Sequence, residues 1–362
     1  MATKPVTDKK KAWNIAHFRR VNGYSRQIEK LYTDYLNAVS ELVFRYGVTV
    51  DGDSVFRLSD YPSLKRQVDQ LTKELSADIA KVIQDADRSE WSKAQAQAVQ
   101  YISDIYRVAS LPDNLQALFG IESATAKARN LDAYKAFSSR KIGGLSLSSK
   151  VWQYTKSLEA QMEASIDIAL LEGRSAAKLS RDIRSLLAEP DLLFRRVRDS
   201  QGKLRMSRAM KAFPAGRGKY KSAYKNAMRL ARTEINMAYR SSDCDMAQNL
   251  MAVVGIGVNL SNNHTCNGKP FVDICDELQG RYPKDFLFRG WHPQCRCFIT
   301  YILKTDEEFW RDLSDGIDRP SVNTVRDVPP AFHDWLMRNR ERLDNATTKP
   351  YFVTDNPRYT TQ

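Results

Sequence analysis

Cysteine and histidine are scarce in this chain, with five and four copies among 362 residues. So few cysteines, and an odd number of them, exclude the disulfide-dense scaffold with which small secreted domains replace a hydrophobic core. Long apolar runs are missing as well. None approaches the roughly 20 residues that cross a bilayer as a helix. The polar start MATKPVTDKKKAW has no apolar stretch of the kind a secretory signal needs, so neither membrane insertion nor export is expected. Internal repeats and low-complexity runs are absent, which excludes a solenoid. What remains is an ordinary globular composition, 42% hydrophobic and 27% charged, with length enough for two cores.

The spacing of apolar residues is mostly helical. From Lys10 to Tyr46 they recur at three- and four-residue steps, with an interruption expected at Asn22-Gly23. Separate helices are expected over 63–87 and 89–109, the three stripes forming a bundle core. His17, without a partner in sequence, reads as structural. Residues 110–148 carry Pro112, Gly120, Gly143 and Gly144 and read as a connection with a domain boundary near its end. Helices are then expected over 149–172, ending at Gly173, over 176–187, capped by Ser175, and over 220–253. The alternating stretch 253–260 reads as a strand that pairs most simply with Phe298–Leu303. After Lys304 come an acidic turn, a helix over 332–343 with His333 on its surface, and a polar tail expected to bury little and to dock or stay loose. The fold class is therefore mainly α with a small β element: an N-terminal helical domain (1–145), an α+β domain (146–303) and a C-terminal helical and polar tail (304–362).

Charge is unevenly spread. The net charge is +13. Between Arg195 and Arg232 thirteen Lys and Arg face a single acid, Asp199. Arg195, Arg196, Arg198, Lys203, Arg205, Arg208, Lys211, Arg217, Lys219 and Lys221 form a block suited to phosphate, because each neutralised phosphate releases counterions. An acidic protein surface is the competing partner. The internal GRGK is not a phosphate loop, since its glycines are not spaced as G-x-x-x-x-G-K-[ST].

Four of the five cysteines and two of the four histidines lie between His264 and Lys304. Zinc takes four N or S ligands in a tetrahedron, and short Cys- and His-bearing turns supply two at once. His292-Pro-Gln-Cys295-Arg-Cys297 is such a turn. Cys275 would supply the second half-site, with His264 or Cys266 upstream and one of Cys295 and Cys297 spare. Reduced, buried thiols and a disulfide are the competing readings.

The order Val253-Val-Gly, Asp273-Ile-Cys-Asp-Glu-Leu-Gln-Gly280 and Gly290-Trp-His-Pro-Gln-Cys-Arg-Cys297 resembles the MuF-type head morphogenesis (minor capsid) proteins of tailed phages. Upstream, Leu230-Ala-Arg-Thr-Glu-Ile-Asn-Met-Ala-Tyr239 looks like the helix that precedes the cysteine region in that family, and Glu172-Gly-Arg-Ser175 like its first half. The resemblance covers roughly 146–303. It departs at Val272, where the family has a first cysteine, so that His264 or Cys266 would have to substitute. The resemblance implies a structural protein of the virion that acts in head assembly near the portal, is present in host cytoplasm during assembly, and contacts portal and other capsid proteins and packaged DNA. It also implies that Arg232, Thr233 and Glu234 belong to the fold's interior rather than to catalysis.

The alternative is a metal-dependent nucleic-acid enzyme, an HNH-like nuclease built on His292. A hydrolytic metal needs an open position and a base. His292 is flanked by Trp291 and Pro293 with no adjoining acid, and thiolates suit structure better than phosphoryl transfer. No catalytic residue is therefore assigned, and structural Zn is the one cofactor expected. A toxin-like effector module would not fit in the short, polar 304–362.

Overall fold

The computed structural model describes residues 4–48, 56–107, 124–171, 181, 185, 196–198, 200–206, 219–220, 222–261, 265–266 and 269–361. In chain order these form α1 (Lys4–Arg45), a 3-10 turn (Leu58–Asp60), α2 (Pro62–Ile105), α3 (Ala124–Ser139), α4 (Leu147–Leu171), β1 (Arg196–Arg198), β2 (Leu204–Met206) and α5 (Ala223–Asn249). Then follow β3 (Val253–Asn259), β4 (Thr265–Cys266), β5 (Lys269–Pro270), α6 (Ile274–Glu277), β6 (Gly280–Tyr282) and β7 (Phe298–Leu303). The chain closes with α7 (Asp306–Asp315), α8 (Pro330–Asp344), α9 (Tyr351–Thr354) and α10 (Pro357–Thr360). The protein is mainly helical with a small antiparallel sheet, as its spacing predicts.

Two expected interruptions are absent. α1 passes through Asn22-Gly23, and α2 runs unbroken past Asp87 to Ile105. A glycine inside a helix costs only about 1 kcal/mol against alanine, and the stripe Val21, Ile28, Tyr32, Leu36, Val39 is buried on both sides of it. α1 ends where expected, at Gly47 in a left-handed conformation with φ +57°. The stretch read as a connection contains α3, and of the helix expected over 176–187 only residues 181 and 185 are described, both helical.

The chain divides into two compact units, neither of them continuous in sequence. One comprises residues 23–84 and 144–231, the other 1–22, 85–143 and 232–362. The division therefore differs from three consecutive segments. Long helices are the reason: α1, α2 and α5 each contribute to both units, so sequence neighbours on one helix bury into different cores.

In the first unit, Ile28, Leu36 and Val39 of α1 pack with Leu64, Val68, Leu75 and Ile79 of α2 and Leu158, Met162 and Ile166 of α4. Backbone amides of the 3-10 connection are satisfied by α4, Phe56 N–H donating to Asp167 and Leu58 N–H to Glu163, both at 2.8 Å. The first amide of α5, which has no intrahelical acceptor, donates to Gln161 Oε1 at 3.0 Å.

In the second unit β3 is the central strand, with β6 on one edge and β7 on the other, both antiparallel. The expected pairing of 253–260 with Phe298–Leu303 is present, Gly257 facing Thr300 and Asn259 facing Phe298. Against the sheet and α5 lies an aromatic core of Tyr282, Phe286, Phe288, Trp291, Phe332 and Phe352. The C-terminal tail corrects its expectation. Phe352, Val353 and Tyr359 are buried, and Asn356 closes on both backbone groups of Leu287, at 2.7 and 3.1 Å. A polar average hid the apolar residues that anchor it.

Candidate metal centre

Helix α5 builds the site from one face. Thr233, Asn236, Arg240 and Cys244 follow at helical three- and four-residue steps, and each meets the loop between β6 and β7. Thr233 Oγ1 accepts the Gln294 N–H at 3.2 Å, at a residue held left-handed with φ +63°. Asn236 donates to the Cys295 carbonyl at 3.4 Å. Arg240 donates to the same carbonyl and, at 3.1 Å, to that of Arg289. Cys244 donates its thiol proton to the Phe288 carbonyl at 3.5 Å, and burial pushes that thiol's pKa up to about 12, so it is an inert proton donor. Gly290 is required here, because its φ is +121° and a Cβ would stand 2.8 Å from Arg240 Nη1.

Held in this way, the loop presents His292 and Cys295 to Cys275, which is buried on α6. The sulfur of Cys275 lies 3.2 Å from His292 Nε2 and 3.7 Å from the sulfur of Cys295. All three donor atoms fall within 4.8 Å of one another, a grouping that could hold a metal ion. The tautomer suits this. His292 Nδ1 faces the Pro293 carbonyl at 2.9 Å and must donate to it, which leaves the Nε2 lone pair directed at the sulfurs. Cys297, also buried, lies two residues further along the same turn and is not one of these three. Burial opposes ionisation of Cys295, but hydrogen bonds from Cys275 and Cys297, with Arg240 and His292 nearby, hold its pKa well below the ordinary thiol value. Hydrogen bonding to that thiolate pushes Cys275 up. Cys244, Cys275, Cys295 and Cys297 are all free thiols.

Of the expected ligands, then, Cys275, His292 and Cys295 come together, and Cys297 is buried close by in sequence. His264 lies outside the described residues, and Cys266 is described only as part of the backbone of β4. Asp273 was missed. It caps α6, accepting the Cys275 N–H at 2.7 Å, and its other oxygen lies 3.4 Å from His292 Nε2. The signal was present as Asp273-Ile-Cys-Asp276, a capping box in which Asp276 accepts the Asp273 N–H in return. Arg232, Thr233 and Glu234 fall on α5: Glu234 pairs with Arg140, Thr233 holds the turn, and the charge of Arg232, second to burial, lowers the pKa of Arg296. His17, read as unpartnered, bonds Glu90 at 2.7 Å and Asn236 at 3.0 Å. His333 is half-buried, 3.5 Å from Asp327.

The basic block is described only in part. Arg196 and Arg198 of β1 and Arg205 of β2 share a short antiparallel hairpin in which Val197 faces Arg205, turning through Gly202 at φ +74°. Lys203 in that turn and Lys219 are exposed. Arg195, Arg208, Lys211, Arg217 and Lys221 lie outside the described residues. No helix among the described residues is long and apolar enough to cross a membrane. Compared with family models, curated proteins and solved structures, the chain finds no match.

Proposed function

We propose that this chain is a structural protein of a tailed-phage head, acting in assembly at or near the portal, with a zinc ion as a staple for its C-terminal core. The observation that carries the proposal is the donor set. Two cysteine sulfurs and an imidazole nitrogen, those of Cys275, Cys295 and His292, gather within 4.8 Å, and such a sulfur-rich set suits zinc held for structure. Zn–S bonds of about 2.3 Å and Zn–N bonds of about 2.0–2.1 Å at tetrahedral angles give ligand edges of roughly 3.5–3.8 Å. The Cys275–Cys295 and Cys275–His292 separations of 3.7 and 3.2 Å fall close to those edges. With Cys297 as fourth ligand, neither His264 nor Cys266 is needed to replace the cysteine missing at Val272. A closed set leaves no position for an attacking water, so this reading favours rigidity over hydrolysis.

The assembly role rests on the family resemblance together with the basic segment, whose density of Lys and Arg suits phosphate or acidic capsid surface. Two measurements test the reading. Purified protein should contain one zinc per chain, and replacement by cobalt should give a thiolate charge-transfer band that weakens in Cys297→Ser. Mass spectrometry of precursor and mature heads should find the chain in a few copies. A protein absent from both kinds of head, or a metal-dependent DNA cutting activity lost in His292→Ala, would overturn it in favour of the nuclease.

A further inference from the structure

A second site lies beside the metal centre, within the same unit. A cavity of about 980 Å³ is walled by the turn after α3, by the loop around His292, and by α8 and α9. Its polar wall is strongly one-sided. Arg140, Lys141, Arg289, Arg342 and Lys349 line it against a single carboxylate, Asp355. Arg140 is already paired with Glu234, and Arg289 with Asp355 at 3.0 Å. Lys141, Arg342 and Lys349 have no acidic partner among the described residues, so three positive charges face the space uncompensated. The other wall is aromatic, with Trp335 and Tyr351 half-buried at its surface and Trp291 and Phe352 behind them.

We propose that this cavity binds a nucleotide, its phosphate gripped by Lys141, Arg342 and Lys349 and its base lying against Trp335 and Tyr351. The volume is at the upper end of the roughly 300–1,000 Å³ of small-molecule sites, far more than a bare anion fills. Cations explain a phosphate or carboxylate. The aromatic wall requires a planar apolar group attached to it, and base stacking on such a surface contributes about 1–3 kcal/mol per base. A free mononucleotide and an unpaired nucleotide at the end of a DNA strand share this chemistry.

The test uses the full-length protein and calorimetric titration with dGMP, inorganic phosphate, a 5′-phosphorylated eight-nucleotide single strand and an oligoglutamate peptide. Expected is binding of dGMP at least tenfold tighter than of phosphate. The triple substitution Lys141→Gln, Arg342→Gln, Lys349→Gln should weaken it about tenfold or more, each exposed charge contributing on the order of two- to fivefold. All three side chains are exposed or at the rim, so folding should survive, and an unchanged melting temperature checks this. Photocrosslinking of 5-iodo-deoxyuridine monophosphate should label Trp335 or Tyr351. Tighter binding of the single strand than of dGMP, lost in the same variant, identifies a strand end as the source, and equal binding identifies the free nucleotide. Phosphate binding as tight as dGMP, preferred binding of oligoglutamate, or crosslinks confined to residues 195–221 would each overturn the proposal. None of these results depends on whether zinc or a phage head is involved.

Discussion

The two units solve the problem of burial differently. The core of the first is mostly aliphatic, and its buried polar residues among those described, such as Thr72, Gln161 and Ser165, are all uncharged. Every buried charged residue among those described, from Lys10, Asp87, Glu90 and Glu234 to Arg240, Asp243, Lys304 and Asp312, belongs to the second. Aliphatic packing is non-directional and tolerates a change of shape if volume is kept. Buried charges tolerate very little, because an ion left without its partner keeps the cost of its desolvation. The unit that carries the metal-competent cluster and the cationic cavity is thus the one that buries charge, most of it in pairs such as Lys10–Asp243, Arg140–Glu234 and Lys304–Asp312, which suits a site whose donors must be held in place.

The largest test of this contrast is removal of the staple. Cys275→Ser, or a strong chelator, should lower the melting temperature by roughly 10 °C, since metal binding energy contributes to folding and each kcal/mol moves a domain of this size by about 2–4 °C. Cys244→Ser, at a thiol that only donates to a carbonyl, should move it far less. A chelator that leaves the melt unchanged would remove zinc from the account.

Next is the pair Lys10–Asp243, 2.6 Å apart, with Tyr301 Oη donating to the same carboxylate oxygen at 2.5 Å and the ammonium 3.8 Å from that tyrosine's ring centroid. Asp243→Asn should cost about 3–5 kcal/mol by denaturant titration. The double replacement Lys10→Met, Asp243→Leu should recover much of that. Failure to recover would show that the hydrogen bonds, not the uncompensated charge, dominate.

In the aliphatic unit, Ile79→Ala should cost about 2–5 kcal/mol through the cavity it leaves, while Ile79→Leu should cost under about 1.5 kcal/mol. Equal penalties for the two would mean that this core, too, depends on exact fit.

The effect that depends on pH concerns Glu90. Burial pushes its pKa up, but hydrogen bonds from His17 and Arg20 more than offset this and hold it at about 2, against an ordinary 4.5. A folded pKa below the unfolded one contributes stability that is complete above pH 4.5 and is lost as pH falls toward 2. Thermal melts of the parent and Glu90→Gln should therefore differ at pH 6 and converge near pH 2. A constant difference would assign the effect to packing.

Much of this was legible in the sequence, and for a local reason. Helix stripes, the pairing of 253–260 with Phe298–Leu303 and the crowding of cysteine and histidine are all patterns over short distances. His17 shows the limit: its partners Glu90 and Asn236 lie 73 and 219 positions away, so no spacing could name them. The tail misled for a related reason, since Phe352 and Tyr359 sit in a polar stretch whose average conceals them.

The sequence alone determined most of the helical segments, though not α3 or the continuity of α1 and α2, together with where the sulfur and imidazole are concentrated and where positive charge accumulates, because periodicity, composition and charge act through neighbours. Tertiary structure decided which donors meet, bringing Cys275, His292 and Cys295 together, that α1, α2 and α5 each serve two cores, and that the C-terminal helices close over the aromatic core. These depend on distances across the fold, and those are set only when helices hundreds of residues apart bury the same apolar surface and satisfy each other's backbone groups.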